Sequence, residues 1–323
     1  MYKIKEKPDD FIVKEIAEIK IQSRGKYLVC LLKKTNYTTI RAIEEIARTL
    51  RIPIKNIGFA GIKDKNAITE QYISIKGTTT TKILKLNLKD IKIMFIGYSN
   101  EPISLGELLG NEFIITIRTL THSQIEKFES TSNLMPNYFG PQRFSKNNVE
   151  IGRAIIQSDY EGAIELITKS NSDYSEKIKI FLDNNPKNYA SALSIIPLRL
   201  LKLYVHAYQS YLWNHTLNKY LSMNQENAKI PLIGFGTEIY NKSIMKIISD
   251  IMQKEKIEFR NFINRKNPSL SLEGNHRLAL VEIKKFKILE KEKSKIKISF
   301  TLPKGSYATV AIDFLLDNLN GLF

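Results

Sequence analysis

An α+β fold is predicted, and three features of the sequence predict it. Over residues 2–120, apolar and polar residues alternate in short runs, which read as strands separated by few helices. From about 147 to 219 the apolar spacing changes to three and four, the period of helices. Beyond 277 strand-like runs return, followed by one amphipathic helix. The mixed segment before them reads as the completion of an inserted domain.

The opening stretch, residues 2–20, reads as one or two strands around Pro8, with alternation in Asp10-Phe11-Ile12-Val13-Lys14-Glu15-Ile16. Residues 26–34 form a second strong strand. Asn36-Tyr37-Thr38-Thr39 then offers capping groups to a helix with Ile40, Ile43, Ala47 and Leu50 at three-to-four spacing, and Pro53 marks its end. Further strands are predicted at Gln71-Tyr72-Ile73-Ser74-Ile75-Lys76, at residues 90–97 and at residues 112–118, with a polar cap cluster at residues 78–81. Helices are predicted over 147–157, 161–169, 197–220 and 241–255. The last strands fall at 278–283, 288–290 and 297–302.

With 323 residues the chain has room for two domains, or for one large domain with an insertion. A hydrophobic content of 43% supplies a core, yet no apolar run approaches the roughly 18 residues of a membrane span. Residues 1–8 lack the apolar stretch of a secretory signal. Cys30, the single cysteine, rules out an internal disulfide and a cysteine-based zinc site, and reads as an inert core residue. A cytoplasmic protein is expected. The net charge of +16 suits a polyanion-binding protein, although a composition rich in Lys, Ile and Asn reaches it without function.

Candidate chemistry is concentrated in Asn56-Ile57-Gly58-Phe59-Ala60-Gly61-Ile62-Lys63-Asp64-Lys65-Asn66-Ala67-Ile68-Thr69-Glu70-Gln71-Tyr72. Two glycines three apart permit positive φ or the close approach of another group. They bend a loop that presents one carboxylate, Asp64, between two lysines, a setting that favours the ionised acid. By itself Lys-Asp-Lys reads as a solvated turn. A second loop, Met135-Pro136-Asn137-Tyr138-Phe139-Gly140-Pro141-Gln142-Arg143-Phe144, carries three aromatics, two amides and an arginine. That set suits stacking on a base and holding a phosphate, or else an aromatic-stapled turn. His122, His206, His215 and His276 form no ligand pair at i+3 or i+4, no Cys-x-x-Cys is present, and no second carboxylate sits in a convincing setting. None of the glycines precedes Lys-Ser/Thr at the spacing of a phosphate-binding loop. His206-Ala207-Tyr208-Gln209-Ser210-Tyr211-Leu212-Trp213-Asn214 puts an aromatic stripe on a helix, which reads as core, with His206 structural.

The first string resembles the signature of the TruD family of RNA pseudouridine synthases: Gly58, Phe59, Ala60, Gly61, Lys63, Asp64, Lys65, Ala67, Thr69 and Gln71 all match, ten positions in fourteen. Asp10-Phe11-x-Val13-x-Glu15 resembles the family's opening, Asn137-Tyr138-Phe139-Gly140-x-Gln142-Arg143-Phe144 its second motif, the helical stripe its third (with Trp213 for Phe), and Leu302-Pro303-x-Gly305-x-Tyr307-Ala308-Thr309 its closing one. The turn at residues 104–113 resembles a further part of its core, and Ser145 stands where the family has Gly.

The resemblance implies a pseudouridine-synthase core on a mostly antiparallel sheet with flanking helices, at residues 1–145 and 277–323, and an inserted α/β TRUD domain at 146–276. It implies Asp64 as the catalytic residue, with Lys63 or Lys65 as its basic partner. It implies that Asn137 orients Asp64 or the target base, that Phe139 stacks on the flipped uracil and that Arg143 holds phosphate. Lys63, Lys65, Glu15 and Gln71 complete the expected substrate-binding set, with Glu15 beside the catalytic loop. The implied substrate is tRNA, uridine 13 above all, met in a cleft between the two domains. No cofactor, metal, membrane or obligate protein partner is expected, and the protein is expected to be monomeric. The rival reading is a non-catalytic RNA-binding or RNA-chaperone module on the same fold, which a substitution at Asp64 would have favoured. A hydrolase of glycosidase type would require a second carboxylate near Asp64.

Overall fold

The structure is a computed structural model that describes residues 2–130, 133–145, 147–169, 173–223, 226–317 and 319. In chain order the first elements are β1 (Phe11–Ile16), β2 (Tyr27–Thr35), α1 (Thr39–Leu50), β3 (Ile57–Phe59), β4 (Ile68–Ile75), α2 (Thr80–Leu84), β5 (Ile91–Ser99), β6 (Gly110–Arg118), α3 (His122–Ser130) and β7 (Leu134–Pro136). They are followed by α4 (Asn148–Ile156), α5 (Tyr160–Lys169), α6 (Ser175–Asn184), α7 (Tyr189–Ala192), α8 (Leu198–Met223), β8 (Lys229–Leu232), α9 (Lys242–Glu255), β9 (Asn275–Leu278) and β10 (Leu280–Glu282). The chain continues through β11 (Lys284–Glu292), β12 (Lys295–Pro303) and α10 (Ala308–Leu315). It divides into two units, Met1–Met135 with Val281–Asp317, and Pro136–Leu280.

The first unit is built on an eight-stranded sheet of order β11-β12-β6-β1-β4-β2-β5, with β3 added to β4. β1 and β4 run parallel, and the other pairings described are antiparallel. Alternation along the strands decides what faces the core. Leu28, Cys30 and Leu32 of β2 pack against Ala42, Ile43, Ile46, Ala47 and Leu50 of α1. Each leucine or isoleucine among them contributes about 1.5–3 kcal/mol on burial. Thr38 caps α1 by accepting the Arg41 N–H, and Arg51 closes it in the left-handed conformation, two residues before Pro53. Cys30 is fully buried, and burial pushes its thiol up to about 12. A second cluster joins Phe11, Val13, Phe113, Ile115 and Phe300 to Ala311, Ile312 and Leu315 of α10.

Two of the inward rows end on a charge. Phe11 and Val13 share a face of β1 with Glu15, and Leu28, Cys30 and Leu32 share a face of β2 with Lys34. Glu15 and Lys34 are both buried, at the edge of the apolar clusters.

The second unit departs from the α/β insertion predicted for 146–276. Helices dominate it, with one two-stranded pairing, β8 with β9, among its described residues. Helix α8 is its centre: Ala207, Tyr208, Gln209 and Ser210 are buried in succession, a full turn. A simple amphipathic helix would bury one stripe; α8 is instead flanked by α4, α9 and β8. The unit also begins and ends elsewhere than predicted, at 136 and 280, because the loop after Pro136 bonds to residues 214 and 277–279. Those pairings join segments 75 to 142 positions apart.

Candidate active site

Residues 60–67 connect β3 to β4 and carry Asp64. Neither Gly58 of β3 nor Gly61 of this segment adopts positive φ. Gly58 is needed for close approach: a Cβ there would lie 2.4 Å from the Ile103 carbonyl oxygen and 2.6 Å from Ser74 Oγ. A Cβ at Gly61 would meet Lys63 Nζ at 3.2 Å and Glu15 Oε2 at 3.8 Å, so this glycine leaves room for that ion pair.

Buried side chains from three elements hold the loop by its main chain. Gln71 of β4 donates Nε2–H to the Gly61 carbonyl at 3.0 Å. Thr39 of α1 accepts the Lys63 N–H at 2.9 Å and donates its hydroxyl to Gln71 Oε1 at 2.8 Å. Lys34 of β2 donates from Nζ to the carbonyls of Asp64, at 3.0 Å, and Tyr37, at 2.5 Å. Buried polar atoms left without such partners are costly, so the network fixes the loop's path.

The Asp64 carboxylate has a partner the sequence does not indicate. Lys5 Nζ donates to Oδ2 at 2.9 Å, and the lysine lies over the Phe11 ring, 4.1 Å from its centroid. No described residue donates to Oδ1, and the Asp64 side chain is 42% exposed. Neither of the expected partners, Lys63 or Lys65, pairs with Asp64 among the described contacts. Lys63 turns inward to Glu15 Oε2 at 2.5 Å, while Glu15 Oε1 accepts the Tyr72 N–H at 3.2 Å. Lys65 is exposed. Asp64 and Lys63 thus have different partners, Lys5 and Glu15.

In the second unit Asn137 is committed to its own surroundings. Its N–H donates to the Ala279 carbonyl and Nδ2–H to the Leu278 carbonyl. Arg277 donates to the Asn137 carbonyl from Nε and Nη2, and to Oδ1 from Nη2 at 2.6 Å. Phe139 exchanges main-chain hydrogen bonds with the Asn214 amide. The Phe139 ring meets Trp213 edge-on at 5.5 Å, and the Arg277 guanidinium lies 4.4 Å from its centroid. Arg143 donates Nε–H to Ser210 Oγ at 3.3 Å, its guanidinium 5.8 Å from the Phe139 ring. Trp213 is fully buried and donates Nε1–H to the Ile230 carbonyl, as a core residue would. Burial, then Arg143, holds the His206 imidazole below its ordinary pKa.

Sequence reasoning missed Lys5, Lys34, Thr39 and Arg277. Lys34 carried a signal, being the fourth member of the inward row Leu28, Cys30, Leu32, Lys34. Thr39 stood in a cap cluster and was read for capping alone. Lys5 and Arg277 carried none, since what matters in each is a contact across 59 and 140 positions.

The profile of one protein family, described as TruD, tRNA pseudouridine synthase D, matches residues 2–181, 174–229 and 222–313. The chain belongs to this family. It is therefore a tRNA pseudouridine synthase, an isomerase of uridine in tRNA. Among its relatives is the tRNA pseudouridine synthase D of Aquifex aeolicus, 30% identical over an alignment covering 96% of this chain and 97% of that protein. A probable tRNA pseudouridine synthase D of Methanosarcina acetivorans is 30% identical, with 96% and 91% covered. A crystal structure of a candidate tRNA pseudouridine synthase D (TruD) from Methanosarcina mazei superposes with a TM-score of 0.73 at 27% identity, covering 97% of this chain and 93% of that one. The solved TruD shares the α+β fold with its large, mixed, mostly antiparallel sheet. No helix among the described residues is long and apolar enough to cross a membrane.

TruD chemistry breaks the bond from ribose C1′ to uracil N1, turns the base, and joins C5 to C1′. C5 gives up its hydrogen and N1 gains one, so the product is an isomer. Asp64 has one carboxylate oxygen held by Lys5, the other without a described donor, and its main-chain carbonyl held by Lys34.

Proposed function

We propose that this enzyme isomerises uridine 13 of tRNA through Asp64 alone among its carboxylates, without cofactor or metal, as a monomer in the cytoplasm. The observation that carries the reading is the state of Asp64: one oxygen held by Lys5, the other without a described donor, the main chain pinned from below by Lys34. Asp64 Oδ1 then either attacks C1′, trapping the sugar while uracil turns, or removes the C2′ proton to give a glycal. No net oxidation or group transfer occurs on either route. Glu15 is the other acid of the neighbourhood, but it is buried and saturated by Lys63 and the Tyr72 N–H, which favours one reacting carboxylate over an acid–base pair.

On this reading Met1–Met135 with Val281–Asp317 is the catalytic core, and Pro136–Leu280 is the TRUD domain. Phe139 stacks on the uracil once the nucleotide has left its stack, at a cost of a few kcal/mol that base–aromatic stacking of about 1–3 kcal/mol helps to offset. Arg143 contributes phosphate contacts. Asn137 holds the Phe139 loop to residues 277–279. Lys63, Glu15 and Gln71 act by shaping the loop.

The test is to treat unmodified total tRNA with the enzyme and map pseudouridine by base-specific chemical labelling. Pseudouridine at position 13 is expected. Pseudouridine confined to other positions would replace the substrate assignment, and binding of tRNA without any pseudouridine would favour the RNA-binding module.

A further inference from the structure

Lys34 is a fully buried lysine on β2. An ammonium taken out of water requires compensation, and buried lysines ordinarily obtain it from a carboxylate. Lys34 has no carboxylate oxygen in ion-pair range among the described residues. Its compensation is two main-chain carbonyls, those of Tyr37 and Asp64. The first lies just before the cap of α1, and the second belongs to the residue assigned to the reaction. The ammonium is thus a tie between the β2–α1 connection and the catalytic loop, made at the Asp64 peptide itself.

We infer that Lys34 is a positioning residue for the isomerisation: its charged hydrogen bond to the Asp64 carbonyl holds the main chain from which the carboxylate reaches the sugar. This inference rests on Asp64 being the reacting group. Three neighbouring loop residues are held in turn by Gln71, Thr39 and Lys34, but only Lys34 can lose a charge in doing so. The groups facing it are Asp64 and Lys63 of the loop, with Lys5 beyond the Asp64 carboxylate. Burial draws the Lys34 ammonium down to about 8; Asp64 opposes that shift and Lys63 adds to it. Hydrogen bonds from an ionised donor are roughly twice as strong as neutral ones. As pH rises through the Lys34 transition, the tie to Asp64 therefore weakens while the tRNA-binding surface keeps its other charges.

The experiment measures single-turnover pseudouridine formation and tRNA affinity of the full chain from pH 6 to 9.5, for the wild type, Lys34→Met, Lys34→Arg and Asp64→Asn. For the wild type, the rate is expected to fall through an alkaline limb near pH 8, with tRNA affinity moving less than about twofold. Lys34→Met is expected to lose about 100-fold or more in rate at pH 7, again with affinity within about twofold. Lys34→Arg, which cannot lose its proton in this range, is expected to recover at least tenfold over Lys34→Met and to lack the limb. A folded Lys34→Met variant within threefold of wild type would overturn the proposal. So would a wild-type rate flat from pH 7 to 9.5, which decides the matter even if Lys34→Met does not fold. Full activity of Asp64→Asn would instead remove the premise, and is distinguished by that variant alone.

Discussion

Lys5 Nζ lies 2.9 Å from Asp64 Oδ2 across 59 positions of sequence, while Lys63, adjacent to Asp64 in the chain, pairs with Glu15. Lys5 can do this because its own backbone is left-handed, at φ 63°, and its side chain crosses the Phe11 ring on β1. The acid is thus held by a cation from the segment before β1, while the neighbouring Lys63 serves Glu15.

Replacing Lys5 by Met is expected to slow pseudouridine formation about tenfold or more at saturating tRNA, equivalent to about 1.4 kcal/mol of barrier. The pair is half-exposed on the Asp64 side, so its removal is expected to change stability by no more than about 1 kcal/mol. Single-turnover kinetics beside thermal melts separate the two. A variant with unchanged rate would show that Lys5 does not act on Asp64.

The Lys63–Glu15 pair behaves differently because both side chains are almost fully buried. Glu15→Gln leaves an uncompensated ammonium and is expected to destabilise by about 3–5 kcal/mol. For a protein of this size that is a fall in melting temperature of about 4–7 °C. Adding Lys63→Met to Glu15→Gln is expected to restore at least half of the loss. Calorimetry or a melting curve on the two variants checks it.

Gly58→Ala is expected to cost about 1–3 kcal/mol, because the new Cβ would lie 2.4 Å from a main-chain oxygen that cannot swing aside. Gly61→Ala is expected to cost less, since its nearest obstacle is the end of the Lys63 side chain. Denaturant titration of both variants checks the order.

Arg277→Met removes three donor contacts to Asn137 and the cation over Phe139 and Trp213. A loss of about 1.5–3 kcal/mol is expected, the usual effect of losing a hydrogen bond to a charged group. Trp213 is the chain's single tryptophan, so its emission reports the site directly. Quenching by acrylamide is expected to increase in the variant. Unchanged quenching and unchanged stability would show that Arg277 does not support this cluster.

Much of the first unit was legible because its signals are local. Alternation marked β1 and β2, cap residues at 36–39 marked α1, and the glycine string marked the loop that bears Asp64. The resemblance of Asp10-Phe11-x-Val13-x-Glu15 to the family's opening places Glu15 beside that loop; its own pattern shows only an acid on the face of β1 that carries Phe11 and Val13. Less visible were relationships made only in three dimensions. Lys63 reads as a partner for Asp64, but in the folded chain its ammonium meets Glu15. Asn137 reads as a residue aimed at the reaction until Arg277 and Leu278 occupy its amide. The same long-range bonds moved the second unit's first boundary from 146 to 136, since a loop's allegiance is set by what its main chain bonds to.

The central claim is that Asp64 is the reacting group, and Asp64→Asn tests it most directly. The substitution keeps the size and most hydrogen bonding of the side chain while removing its charge. Under single-turnover conditions, with tRNA labelled at uracil C5, release of the C5 hydrogen reports bond exchange at the base. The account predicts that Asp64→Asn binds tRNA within about threefold of the wild type and releases no label above background. Release at the wild-type rate would contradict it.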